Sequence, residues 1–286
     1  MKSKTVALPD GRRVPALGLG TWRMGEAARS RRQEVEAVRT ALALGYRLID
    51  TAEMYGDGGA EEVVGEAVRG ALAAGEVRRE DLVIVSKVYP HNASRAGVVA
   101  ACERSLRRLQ LDHLDLYLLH WRGSHPLAAT VAGFEALRAA GKVRDWGVSN
   151  FDVADLEDLL AVAGGQRCAA DQVYYSVTRR GVEFDLLPAL RRHRMPLMAY
   201  CPIDAGAAAG NAALAAIGRR IGASAAQVAL AFVLRQPDVI AIPKAVRAEH
   251  QRENLAAASL TLDAEALAAI DRAFPPPRRK QPLAIV

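Results

Sequence analysis

The feature that most constrains this chain is a syntax repeated along it: a short apolar run that stops on a polar side chain, followed by a stretch of helical periodicity. HLDLYLLHW stops on His120 and Trp121, and LID leads through Asp50 to Tyr55. VIVSK stops on Lys87, WGVSNF reaches Ser149 and Asn150, ADQV carries Gln172, LMAY stops on Tyr200, and IAIPK stops on Lys244. A barrel of parallel strands collects its strand ends on one face. Polar groups scattered along most of the chain are therefore expected to meet in one cleft.

The segments between these runs fit that architecture. VALPDGRRVPALG predicts an N-terminal hairpin turning at Asp10 and Gly11, and LGLGT (17–21) a first buried strand. Helical periodicity is read over 31–44 (stopped by Gly45), 60–74, 98–109, 130–140 (ended by Gly141), 153–162, 184–192, 224–235 and 249–257. A further helix over 261–274, capped by Asp263, closes the chain, and 205–216 is read only as an alanine-rich stretch. Eight strand–helix units with no linker and no change of composition predict one α/β domain over residues 1–286. The expected fold is a (β/α)8 TIM barrel with an N-terminal β-hairpin and an extra C-terminal helix. An open doubly wound sheet is the competitor, and eight regular units favour closure.

Composition narrows the function classes. The net charge of +6 could suggest nucleic acid, but the arginines are dispersed beside acids, as in RRQEVEAVR, and only PPPRRK is a tight basic cluster. Nucleic acid is not expected as a partner; phosphorylated small molecules suit a modest positive excess better. No run is long and apolar enough for a membrane span, and the N-terminus shows no signal-peptide core. Cys102, Cys168 and Cys201 are widely spaced, with neither disulfide nor metal-site spacing. The expectation is a cytoplasmic protein acting on a small molecule, without metal or membrane, and a monomer.

GLGTWR (18–23) imitates a dinucleotide fingerprint, yet Arg23 stands where a third glycine belongs and no helix opens there. Its glycines are read instead as allowing a tight turn under a ligand. Lys87 and Lys244 end apolar runs, where a solvated lysine is out of place. His120 could be a core histidine, but the adjacent Trp121 suggests a pocket wall. Asp50, Tyr55, Lys87 and His120 together suggest one constellation. A tyrosine is a poor acid near neutrality. A neighbouring ammonium favours its phenolate and lowers its pKa, a carboxylate keeps the ammonium charged, and a histidine can orient a carbonyl. Such equipment protonates an oxygen while hydride arrives at its carbon. No side chain donates hydride, so a nicotinamide cofactor is required.

At this point the residues resemble the aldo-keto reductase family over essentially the whole chain. GLGTW, DTAEMYGDGGAEEVVGEA, SKVYP, SLRRLQLDHLDLYLLHW, GKVRDWGVSNF, DQV, MAYCP, IPKAV and REN look like its landmarks in order. AEMYGDGGAEEVVGEA, VTRRGVEFDLLP and FPPPRRK look like a bacterial subgroup related to methylglyoxal reductase. The resemblance implies reduction of aldehydes and ketones with NADPH. It makes Tyr55 the acid, Asp50 and Lys87 its tuning pair, and His120 the group that positions the carbonyl. Ser149, Asn150 and Gln172 would hold the nicotinamide carboxamide, and Tyr200 would stack on the ring. Lys244 would meet the 2′-phosphate or pyrophosphate, and Glu253 and Asn254 the adenine. Gly20, Thr21, Trp22, Cys201, Pro202, Ile203, Ala245, Val246 and His250 complete the expected cofactor contacts. Trp22, Tyr89 and Trp121 would line the substrate pocket.

The chain departs from the family pattern in three places. NQV reads DQV, so Asp171 replaces an asparagine, with an altered neighbouring hydrogen bond as the expected effect. IPKS reads IPKA, so Ala245 offers no hydroxyl to phosphate. His250 stands where an arginine is usual, with Arg247 or Arg252 able to compensate. The last two changes keep NADH open as a weaker alternative. The short 121–130 loop suggests an open pocket for small or varied carbonyls. Two other readings compete: an aldolase using Lys87 as a Schiff-base nucleophile, and a regulatory subunit that keeps cofactor without turnover. Tyr55, Asp50 and the nicotinamide set argue against the first, and an intact tetrad against the second.

Overall fold

The computed structural model describes residues 4–286, and in it the alternating pattern becomes a ring of parallel strands wrapped by helices. The hairpin comes first: β1 (Thr5–Ala7) pairs antiparallel with β2 (Arg13–Pro15). Gly11 turns it at φ +88°, a conformation glycine adopts at no steric cost. There follow β3 (Leu19–Gly20), α1 (Arg31–Leu44), β4 (Leu48–Asp50), α2 (Gly59–Ala73), β5 (Val83–Val88) and α3 (Arg95–Leu109). Next come β6 (Leu114–Leu119), α4 (Leu127–Ala139), β7 (Val143–Ser149), α5 (Val153–Ala161), β8 (Asp171–Tyr174) and α6 (Leu186–Arg192). The chain ends with β9 (Leu197–Tyr200), α7 (Ala212–Ile221), α8 (Ala225–Leu234), β10 (Val239–Ala241), α9 (Ala248–Ala257) and α10 (Ala264–Ala273). The parallel ladder runs from β3 to β10 in chain order, and bridges Leu17–Ala241 and Gly20–Lys244 join its two ends.

That closure places a packing demand on the first glycines. A Cβ on Gly18 would lie 2.3 Å from Leu48 Cδ2, and one on Gly20 2.6 Å from the Ile242 carbonyl oxygen. Gly20 lets the first and last strands approach, and Gly18 makes room for Leu48 of β4. The strands bury on both faces, as β6 does at all six positions from Leu114 to Leu119. A parallel sheet covered on each side reads as continuous apolar sequence for this reason.

Local signals set the helix ends. Ser94 accepts from Gly97 N at the start of α3, Asp152 forms a capping box on α5, and Ser224 does so on α8. Asp263 caps α10 through Ala266 N, as expected, and Gly45 ends α1 at φ +104°. The alanine-rich stretch conceals a helix that the sequence reading missed. Asn211 caps α7 by accepting from Ala213 N and Leu214 N, and Gly222 stops it in the left-handed region. Repeated alanine masked the apolar stripe of Leu214, Ile217 and Gly218 that faces the protein.

The hairpin covers the end of the barrel opposite the polar strand ends. Arg12 reaches Asp115 near the start of β6 at 3.7 Å and also pairs with Asp145 of β7. Arg79 reinforces Asp115 at 2.9 Å. Among the described residues no single helix is long and apolar enough to cross a membrane.

Candidate active site

Lys87 is the hinge of the cleft. Its side chain, fully buried on β5, places Nζ 2.7 Å from Asp50 Oδ1, 2.8 Å from the Thr51 carbonyl and 3.2 Å from the Tyr55 hydroxyl. Asp50 ends β4, and its other oxygen accepts from Gln172 Nε2 at 2.8 Å. Tyr55 opens a short turn beyond β4, and its ring meets that of His120 edge-on with centroids 5.7 Å apart. The four residues expected to act together therefore converge.

Their electrostatics differ from the expectation in one respect. Burial raises the Asp50 carboxyl and lowers the Lys87 ammonium, and the attraction between the two opposes both effects. Tyr55 keeps part of its surface open, yet its hydroxyl sits among buried groups. Burial, then Asp50, then Cys201 push its pKa well above the ordinary phenol value. Burial dominates and the Asp50 charge adds to it, so the lowering expected from the Lys87 ammonium does not prevail. Tyr55 is thus held as a neutral phenol, which is the form of a proton donor. Burial and then Lys87 drive His120 well below the ordinary histidine value, so its ring is neutral. Its Nδ1 has no hydrogen-bond partner among the described residues.

A second cluster adjoins the first. Ser149 Oγ donates to the Gln172 carbonyl at 2.7 Å, and Asn150 N donates to the same oxygen at 2.9 Å. Asn150 holds φ +59°, sends Nδ2 to the His120 carbonyl at 3.1 Å, and accepts from the Tyr200 hydroxyl at 2.9 Å. Thr21 is buried and donates its hydroxyl to the Asp50 carbonyl at 2.9 Å, so it braces β4 beside Gly20. Beyond Tyr200, Cys201, Pro202 and Ile203 lead into a turn where Asp204 accepts from Tyr174 at 3.1 Å and Thr178 at 2.9 Å.

A third group lies past β10. Lys244 is exposed, Ala245 is buried, and Val246 leads into α9, whose first residues have no side-chain cap. The Arg247 guanidinium lies against the His250 ring, whereas Arg252 stands exposed further along α9. An uncapped helix N-terminus beside a lysine and a guanidinium fits a phosphate group. Asn254 is buried beside the Tyr46 hydroxyl, and Glu253 stays partly open with its carbonyl accepting from Gln227 at 3.1 Å.

The expected pocket wall is assembled in part. Tyr89 and Trp121 meet edge to face at 5.8 Å, and Trp121 lies 5.1 Å from the His120 ring. Trp22 stands outside this stack with the Arg23 guanidinium 4.6 Å over its ring. Glu53, between Asp50 and Tyr55 in sequence, organises the wall. Buried, it accepts from Tyr89 N at 2.7 Å and Asn92 Nδ2 at 3.1 Å and pairs with Arg104 at 3.3 Å. Its place two residues before Tyr55 gave no such signal, since its partners are distant in sequence. Asp171 is also more than an altered hydrogen bond: it is fully buried, and neither carboxyl oxygen has a partner among the described residues.

Known proteins resemble the chain over most or all of its length. Residues 16–274 match the model of the Aldo/keto reductase family. "Methylglyoxal reductase YeaE" of Escherichia coli is 47% identical over 100% of both chains. "Glyoxal reductase" of Bacillus subtilis is 35% identical over 93% of this chain and 91% of its own. A crystal structure of an aldo-keto reductase from Klebsiella pneumoniae in complex with NADPH superposes with a TM-score of 0.94, at 49% identity and covering 100% of both chains.

Proposed function

This chain belongs to the aldo/keto reductase family, and from that premise we propose that it reduces small aldehydes and 2-oxoaldehydes with NADPH, Tyr55 giving the proton. It is an NAD(P)H-dependent oxidoreductase of carbonyl compounds. The narrower substrate class is suggested by the methylglyoxal and glyoxal reductases among its relatives. An exposed Trp121 at the mouth of the cleft is compatible with an open pocket of that kind.

The bound reduced nicotinamide supplies hydride. Every other task falls to the chain. Ser149, Asn150 and Gln172 are proposed to hold the carboxamide, and Tyr200 to stack on the ring. Lys244 and Arg247, at the open N-terminus of α9, are proposed to hold the 2′-phosphate, with His250 beside them and Glu253 and Asn254 near the adenine. The neutral His120 ring can donate to a carbonyl oxygen without a charge of its own to desolvate. As negative charge grows on that oxygen, the Tyr55 proton moves to it. Lys87, 3.2 Å away, stabilises the phenolate left behind. Asp50 keeps Lys87 charged at 2.7 Å.

The observation that carries this reading is the position of Lys87, bonded at once to Asp50 and Tyr55. A Schiff-base aldolase needs its lysine free and uncharged, whereas this one is locked in an ion pair. We read the chain as one domain acting as a monomer. The few large exposed apolar side chains, such as Met54, Trp121 and Phe184, do not suggest a broad apolar interface. Three free cysteines fit a reducing compartment such as the cytoplasm.

Cofactor oxidation over a panel of aldehydes, run with NADPH and NADH in parallel, tests the proposal together with Tyr55→Phe. The variant should lose about 10²–10⁴-fold in turnover, the usual worth of a general acid, while NADPH affinity holds within about threefold. Retention of more than about a tenth of the turnover would reject Tyr55 as the acid.

A further inference from the structure

Tyr55 opens a turn that its own residues do little to hold. Gly56, Asp57 and Gly58 take φ of +59°, +52° and +90° in succession, and the middle one carries a side chain. That region favours glycine. A residue such as Asp57 stays there where the surroundings fix it.

Two walls do so. On one side stands Gly25, itself at φ +74° in the loop beyond β3 and Trp22. A Cβ on Gly56 would lie 2.8 Å from the Gly25 carbonyl oxygen, so the two backbones are in close contact. Gly25 N donates to Glu34 Oε2 at 2.8 Å, and Glu34 is buried on α1. On the other side lies Arg108 of α3. Its guanidinium fills the space of a side chain at Gly58, where a Cβ would lie 2.5 Å from Arg108 Cζ.

Arg108 is in turn held from behind. Its Nη1 donates to Glu61 Oε2 at 2.9 Å, and Ser86 Oγ donates to Glu61 Oε1 at 2.6 Å. Glu61 is fully buried on α2. Ser86 directly precedes Lys87 on β5. Adjacent residues of a strand face opposite ways, so Ser86 meets Glu61 on one face while Lys87 reaches Tyr55 on the other. One chain of contacts thus runs from the Tyr55 turn through Arg108, Glu61 and Ser86 to the strand that carries Lys87.

We propose that Arg108 is a positioning residue for proton transfer: anchored by Glu61 and packed against Gly58, it fixes the Tyr55–Gly58 turn relative to β5 and keeps the Tyr55 hydroxyl beside Lys87. It acts through Tyr55 and not on the substrate. The hydroxyl stands 3.2 Å from the Lys87 ammonium, and a misplacement of about 1 Å can cost about a hundredfold in rate. The proposal rests on the reading of Tyr55 as the acid.

Arg108→Met removes the guanidinium but strands the Glu61 carboxylate, so it is paired with Glu61→Gln in a double variant that leaves no buried charge. Single-turnover reduction of methylglyoxal by bound NADPH is followed in H2O and in D2O, beside melting temperature. The double variant should melt close to the wild type and lose about ten- to a hundredfold in rate. NADPH affinity should hold within about threefold. Its solvent isotope effect should exceed the wild-type value, because proton delivery becomes the slow event. A packing role alone would not move that effect. Arg108→Lys keeps a cation for Glu61 without the planar group at Gly58, and should show the same pattern with a loss of about threefold or more. If the double variant does not fold, Arg108→Lys decides. A folded variant with wild-type rate, or a slower one with an unchanged isotope effect, overturns the proposal. Tyr55→Phe tests the reading beneath it. If that variant keeps its turnover, the acid reading fails and the proposal with it. If Tyr55→Phe is inactive while the Arg108 variants run at the wild-type rate, only the role of Arg108 falls.

Discussion

Gln172 donates from Nε2 to Asp50 Oδ2 at 2.8 Å, across the inside of the barrel from β8 to β4. One hydrogen bond thus ties the group proposed to hold the nicotinamide to the carboxylate that holds Lys87. The proton-donating cluster and the cofactor cradle share a buried member, so a change to either should be felt by both. Gln172→Leu, which keeps the bulk and removes the donor, is expected to weaken NADPH binding and also to lower turnover at saturating cofactor by about tenfold, the worth of a hydrogen bond to a charged group. Unchanged turnover under saturation would show that the bond carries no coupling.

Lys87→Met separates tuning from packing. It leaves Asp50 buried without its ammonium, a loss of roughly 3–5 kcal/mol when one partner of a buried pair is removed. Turnover and melting temperature should both fall. In the double variant Asp50→Asn with Lys87→Met no charge remains stranded, so the melting temperature should recover most of its loss while reduction stays abolished. A double variant that regains turnover along with stability would mean that Lys87 serves only to hold the fold.

The selection of phosphate over hydroxyl at the adenosine ribose is assigned to Arg247 more than to His250. Arg247 lies against the His250 ring, and we propose that it supplies the planar guanidinium missing from the expected position. Arg247→Ala should weaken NADPH by about tenfold or more, given about 1.5–3 kcal/mol for a charged hydrogen bond, and leave NADH nearly unchanged. His250→Arg should tighten NADPH modestly, with NADH again unaffected. Equal losses for the two cofactors in Arg247→Ala would place the 2′-phosphate elsewhere.

Asp171 also makes a stability prediction with a definite sign. Its folded-state pKa lies above the unfolded value. Folding therefore holds a proton that the unfolded chain has already released once the pH passes about 4. Stability from this group is complete below that pH and declines as pH rises toward the folded pKa, by at most about 1.4 kcal/mol per pH unit. Asp171→Asn should accordingly raise the melting temperature near neutral pH, and raise it further at alkaline pH. A melting difference that is constant with pH would indicate that the carboxyl is not titrating abnormally.

Two glycines should respond oppositely to alanine. Gly20→Ala places a methyl against the Ile242 carbonyl at 2.6 Å where the barrel closes, and such overpacking costs about 1–3 kcal/mol. Gly70→Ala on α2 meets only the Arg39 side chain at 3.9 Å and should stabilise by about 0.5–1 kcal/mol through helix propensity. Chemical denaturation of the two variants side by side checks both signs. A neutral Gly20→Ala would deny the close approach at the seam.

The sequence by itself determined the repeat, and with it the fold and the constellation of Asp50, Tyr55, Lys87 and His120. Strand identity and helix stops are local properties, written in runs such as LYLL and in Gly45, Asp263 and Asp10–Gly11, and a parallel barrel leaves its strand ends only one face to share. Tertiary structure decided what depends on distance between remote positions. Glu53 organises Tyr89 and Asn92, Gly18 and Gly20 seal the ring, and α7 packs an apolar stripe that a run of alanines disguised. It also set burial and the Asp50 charge against the lowering expected at Tyr55, because a pKa follows from burial and from every nearby charge at once. A sequence shows that Lys87 and Asp50 are available to a tyrosine; only the packed barrel shows the burial that outweighs the ammonium.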